Sequence, residues 1–172
     1  MCEAALPEAA FDLVHARYVL IHLPHADRAL ERMLSALKPG GYLVLEEPDF
    51  SAAHAEAGPA EFRSSFAAVQ RAIAHMFASR SMNHAFGASL AQRLGQAGVV
   101  DVRVDDQRGA HPGGSALAWM MALSTRQLAD QYLRTGEVSA AQLRAYEGYA
   151  RDPACSAVHY ASVAAWGRKP HN

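Results

Sequence analysis

Residues 11–49, FDLVHARYVLIHLPHADRALERMLSALKPGGYLVLEEPD, constrain the fold more than any other stretch, because they set one amphipathic helix between two short apolar, β-prone runs. Phe11 to Val14 reads as a strand covered on both faces, with Asp12 interrupting it at its entry. Beyond the turn residues near Pro24, Ala26, Leu30, Met33, Leu34 and Leu37 fall at i, i+4, i+7, i+8 and i+11, which is one face of a helix. Asp27 in the first turn and Lys38 at the end suit the helix dipole, and Pro39-Gly40-Gly41 is expected to stop the helix. Tyr42 to Leu45 is then the second strand. A strand, helix and strand of this length imply a right-handed parallel crossover, the building step of an α/β sheet.

The rest of the chain extends that pattern. Phe62, Phe66, Val69, Ile73 and Met76 recur at helical spacing, and Ser81 to Gly87 breaks the helix. Leu90, Leu94 and Ala97 mark a shorter helix closed by Gly98. Val100, Val102 and Val104 alternate with Asp101 and Arg103 as in a half-buried strand. His111 to Gly114 reads as a loop. Two helices are expected after it, one around Leu117 to Leu133 and one from an N-cap at Ser139 to about Tyr149, with a last strand in Ala157 to Trp166. Phe62, Phe66, Met76, Phe77, Met120 and Met121 sit at helical spacings, so core packing is the first expectation for them and pocket lining the second.

Composition removes several function classes. The 16 basic and 17 acidic residues are spread along the chain and leave a net charge of −1, which lacks the footprint of a nucleic-acid binder or an anionic-membrane binder. No run is long and apolar enough to span a bilayer, and the acidic start MCEAALPEAAF lacks the form of a secretion signal. A soluble cytoplasmic protein with a small-molecule partner is expected. Cys2 and Cys155 are too few for a disulfide framework, and nine scattered histidines without a ligand-spaced motif give no metal site.

FDLVHAR and LKPGGYLVLEE resemble, nearly residue for residue, the middle of class I S-adenosylmethionine-dependent methyltransferases of the bacterial small-molecule type. FGASLAQRLGQAGVVDVRV resembles that family's step from helix through Ala-Gly to strand, and SVAAWGRKP its closing strand. The resemblance implies an α/β fold with an incomplete Rossmann-like sheet, mostly parallel, with helices on its faces. It implies one truncated methyltransferase-like domain over residues 1–172, with a helical lid insertion at about 115–151. The family's glycine-rich cofactor loop precedes the FDLV strand, and these residues do not include it. The strand around Leu13 is therefore expected to have a bare edge, open to a homodimer contact or to a complementary chain.

The same resemblance carries site roles over. His15, Ala16 and Arg17 follow the FDLV strand, where the family borders the sulfonium and methionine part of S-adenosylmethionine, and Arg17 would pair with the cofactor carboxylate. Ala4 and Leu6 fall in CEAALP, which is similar to the family's adenine-contacting segment, with Cys2 where the family has Asp. His22 occupies the turn histidine of the family's L-x-H-L pattern, as a pocket-shaping residue or a catalytic base. Glu46, Glu47 and Asp49 stand at the carboxyl end of a parallel strand, where open α/β sheets bind ligands. Glu47, Asp49 and Trp119 are thus candidates for substrate contact, against the alternatives of a solvated acidic turn for the two carboxylates and of lid or core packing for Trp119. Two readings follow: a fragment or subunit of a small-molecule methyltransferase that binds S-adenosylmethionine weakly by itself, or an inactive methyltransferase-like ligand-binding or dimerisation module.

Overall fold

Phe11–Arg17 (β1) and Leu37–Asp49 (β2) pair in parallel, Leu13 beside Tyr42 and Arg17 beside Glu46, in the computed structural model of the chain, which describes residues 6–171. Ala26–Ala36 (α1) makes the crossover between them and buries Ala26, Leu30 and Ala36. Leu37 is not on the helix face, as its spacing suggests, but begins β2, fully buried beside Phe11. Pro39 disfavours helical backbone at Lys38, so the chain leaves the helix before the Pro-Gly-Gly run and carries that run within the strand. Leu43 and Leu45, both 0% exposed, form the inward row of β2.

The sheet is mixed, not mostly parallel. Its order is β1-β2-β7-β4, where β4 is Val100–Gln107 and β7 is Ala161–Arg168. β7 runs antiparallel to β4, with Arg103 opposite Trp166 and Gln107 opposite Ser162. It also runs opposite to β2, because Lys169 exchanges backbone hydrogen bonds with Gly40 and Gly41 while Ser162 reaches Glu46. A final strand inserted in reverse between two others is a long-range choice that a local pattern does not announce. β4 is an edge strand, and Val100 and Val104 are exposed rather than half-buried; its Asp101, Asp105 and Asp106 are charges of the kind that discourage further strand pairing. Leu90–Gln96 (α3) precedes it and buries Leu90 and Leu94.

The described residues divide into two compact units. The first holds residues up to 49 together with 85–107 and 162 onward, and so contains this sheet; the second holds residues 50–84 and 108–161. The second unit is built on Ala60–Ala78 (α2), whose Phe62, Phe66, Val69, Ile73 and Met76 are buried as their spacing predicts. The helix expected at Leu117 to Leu133 is two, Ala116–Gln127 (α4) and Ala129–Arg134 (α5), and Ala140–Tyr149 (α6) starts at Ser139 with a reciprocal capping box to Gln142. Met121 is buried, whereas Met120 is exposed.

A small antiparallel sheet completes this unit: His54–Ala57 (β3), Ser156–Val158 (β6) and His111–Pro112 (β5), in the order β3-β6-β5. The single last strand expected from Ala157 to Trp166 is therefore two, β6 and β7. The expected loop at His111 contributes β5. Gly113 follows it because nothing larger fits: a Cβ there would lie 2.2 Å from the Asp152 carbonyl oxygen. Among the described residues, no helix is long and apolar enough to cross a membrane.

Candidate functional site

The carboxyl ends of β1 and β2 lie side by side, as the parallel register requires, and most of the sequence-derived candidates gather there. His15, Ala16 and Arg17 pair with Val44, Leu45 and Glu46. Ala16 is buried, while His15 and Arg17 are exposed. The Arg17 Nε lies 3.1 Å from the Glu46 Oε1, so part of the guanidinium proposed for a cofactor carboxylate already meets a protein carboxylate.

Tyr18 then turns the chain sharply. Its φ of +54° is left-handed, a conformation that costs a bulky residue on the order of 1–3 kcal/mol. Three contacts hold it: its N–H donates to the Glu46 carbonyl at 2.8 Å, its hydroxyl lies 2.9 Å from the Ser162 Oγ, and the Arg17 guanidinium stacks over its ring. Ser162 donates its one hydroxyl proton to the Glu46 Oε1 at 3.0 Å, so Tyr18 is the donor toward Ser162. Tyr18 and Ser162 have no local sequence signature, since 144 residues separate them.

Glu47 has a different part from the substrate contact or solvated turn considered for it. It is 0% exposed, and its carboxylate accepts from three consecutive backbone amides: Val19 at 3.0 Å, Leu20 at 2.7 Å and Ile21 at 3.2 Å. Burial raises its pKa above the usual glutamate value, while the three amides and the nearby His22 act in the opposite direction by favouring the ionised form. The loop that Glu47 fixes ends in a short 3₁₀ turn, Leu20–His22, with His22 exposed at its last position. Asp49 is also buried, at the end of the same strand. Gly87 packs against this strand end so closely that a Cβ would lie 2.7 Å from the Glu47 carbonyl oxygen.

Leu6 is exposed, and Ala4 and Cys2 lie outside the described residues. Trp119 stands in the second unit, on α4, partly exposed with the Arg151 guanidinium over its ring. Among the described residues, no group of three or more His, Cys, Asp or Glu side chains could hold a metal ion.

Sequence reasoning missed a second polar cluster, inside the second unit. His159 is 5% exposed, with Phe66 against its ring and the Tyr146 hydroxyl 3.4 Å from its Nδ1. Burial, and then the neighbouring His111, lower its pKa from 6.5 to about 4. Between those values the unfolded chain binds a proton that the folded chain refuses. Stability is therefore expected to be intact at pH 7 and to fall as the pH drops from 6.5 toward 4, with about 3 kcal/mol from this residue. Urea denaturation of the chain and of His159→Gln across that range checks this, because carboxylates titrate in both and only the histidine contribution is removed in the variant. Equal slopes would contradict it.

Comparison with known proteins agrees with this architecture. The profile of the methyltransferase domain family matches residues 2–104, more than half of the chain. Methyltransferase str3 of Strobilurus tenacellus is 43% identical over 44 residues, which cover 26% of this chain and 16% of that protein. The YcgJ protein of Bacillus subtilis shares the fold at a TM-score of 0.53 and 12% identity, with 99% of this chain and 69% of that one covered. Phosphoethanolamine N-methyltransferase 2 of Haemonchus contortus, whose structure contains phosphomonomethylethanolamine and S-adenosylhomocysteine, does so at 0.50 and 15%, with 98% and 35% covered. The chain thus corresponds to a minor part of the length of that enzyme and of the curated relative. A profile match over more than half of the chain places it in the methyltransferase domain family.

Proposed function

We propose that the chain forms the rear portion of an S-adenosylmethionine-dependent methyltransferase that acts on a small molecule in the cytoplasm. In this reading the carboxyl ends of β1 and β2 border the methionine part of the cofactor, Arg17 and His15 face it, and His22 lies on the loop beside the reacting centre. Methyl transfer from a sulfonium needs chiefly a nucleophile held in line and water kept out, so a rigid, positioned loop serves that chemistry better than a dense set of acids and bases. The observation that carries the reading is the loop itself: a buried carboxylate and a left-handed tyrosine fix its path at the strand ends where α/β sheets bind ligands.

The second element of the proposal concerns the outer edge of β1. Among the described residues β1 ends the sheet, with Phe11 and Leu13 43% and 56% exposed. We assign that edge to a further parallel strand that leads into a glycine-rich cofactor loop. A homodimer paired through the same edge is the competing occupant. Cofactor affinity of these residues by themselves is then weak. Titration of the ¹⁵N-labelled chain with S-adenosylhomocysteine is expected to shift amides of His15–His22 and Glu46–Asp49 with a Kd of about 1 mM, and Arg17→Ala to weaken the response further. Saturable shifts confined to other residues, or none at millimolar ligand, would refute the reading.

A further inference from the structure

We infer that the second unit binds a phosphorylated small molecule in the groove between the carboxyl-terminal end of α2 and α5. His75, Ser79 and Arg80 line the groove on the α2 side, and Gln131, Arg134 and Thr135 line it on the α5 side. Its volume is about 480 Å³. That lies within the range of small-molecule clefts, about 300–1,000 Å³. Among the described residues no Asp or Glu lines it, so its walls carry two guanidinium charges with no carboxylate between them.

The hydrogen bonds already made in the groove decide what it can still take. Ser79 and Thr135 donate their hydroxyl protons to the carbonyls of Met76, at 2.9 Å, and Tyr132, at 2.6 Å. Arg80 donates to the Gln131 Oε1, which leaves its other N–H groups and the Gln131 NH₂ for a ligand. Glu137 meets Arg71 at 3.3 Å and His75 at 3.6 Å and does not line the groove, and among the described residues Arg134 has no carboxylate within ion-pair distance. The free hydrogens thus belong to two cations and an amide, the complement of an acceptor-only oxyanion. An ammonium is repelled, and a neutral alcohol gains nothing from the charges. A phosphate monoester suits two guanidinium forks on opposite sides better than a carboxylate does, because it offers three terminal oxygens. The carboxyl-terminal helix ends favour cations as well, which lets both arginines stand there without a ligand. Both are exposed, so the affinity is modest.

This site stands independently of the transferase reading, because its residues all belong to the second unit and its test requires no cofactor. The ¹⁵N-labelled chain is titrated at constant ionic strength and pH 7.5, where a phosphate monoester is mostly dianionic, with glycerol 3-phosphate, inorganic phosphate, acetate and glycerol. Glycerol 3-phosphate is expected to give saturable shifts at Ser79, Arg80 and residues 131–135 with a Kd of about 1 mM, tighter than the other three. Arg134→Gln is expected to weaken it about fivefold, the upper range for an ion pair that water reaches. Arg126→Gln, which removes the same charge from α4 outside the groove, is expected to leave it unchanged. Equal binding of inorganic phosphate or acetate, a matching response to glycerol, equal losses in the two variants, or no saturable shift in the groove would overturn the proposal. Shifts from S-adenosylhomocysteine are scored on residues of the first unit, so either reading can fail without the other.

Discussion

Glu47→Ala is expected to cost on the order of 3–5 kcal/mol, because it leaves the amides of Val19, Leu20 and Ile21 without their acceptor in a buried setting. Among the described residues no other side chain accepts from these three groups, and each orphaned buried donor costs roughly 1–3 kcal/mol before water or local movement relieves it. Glu47→Gln separates charge from shape. It keeps one acceptor oxygen but turns an NH₂ group toward amides that can only donate, so an intermediate loss is expected. Urea denaturation gives the loss, and amide exchange locates it: Val19, Leu20 and Ile21 should exchange faster in both variants while Leu43 and Leu45 stay protected. A loss below about 1 kcal/mol would mean that the carboxylate is not the anchor of the loop.

Phe66→Ala is expected to be as damaging in the second unit. Phe66 is 1% exposed, with ring centroids 5.8 Å from Phe62, 5.9 Å from Tyr146 and 5.6 Å from His159. Removing a ring from such a cluster typically costs 3–5 kcal/mol, through lost burial and the cavity that remains. It would also wet His159 and allow its pKa to return toward the ordinary value, which flattens the acid limb of the stability curve. Denaturation at pH 7 and near pH 4.5 reads both effects. A near-neutral result at pH 7 would contradict the aromatic packing described.

The β1-α1-β2 crossover was legible because its signals are local: two apolar runs, one helical face, and a proline that forces the helix to end. The position of β7 was not. Its sequence reads equally well as a strand in either direction, and its reversed place between β2 and β4 depends on distant partners, Gln107 opposite Ser162 on one side and Glu46, 116 residues from Ser162, on the other. β3 and β5 are four and two residues long, too short for any period to register. For the site, the sequence found the strand ends, but the roles of individual residues needed the structure. Glu-Glu-Pro-Asp carries no mark of burial, since the amides that hold Glu47 lie 26 to 28 residues earlier. His159 likewise looked like one of nine scattered histidines until the fold put Tyr146, His111 and Phe66 around it.

Amide exchange along β1 tests most directly the claim that this sheet ends at an open strand awaiting a neighbour. The Tyr18 N–H points to β2, and strand alternation puts the amides of Val14 and Ala16 on that same side, with those of Leu13, His15 and Arg17 on the outer edge. For the dilute chain, slow exchange at Val14 and Ala16 with fast exchange at Leu13, His15 and Arg17 is the predicted result. Uniform protection of all five would mean that the edge is already paired, and uniform fast exchange that the strand does not form.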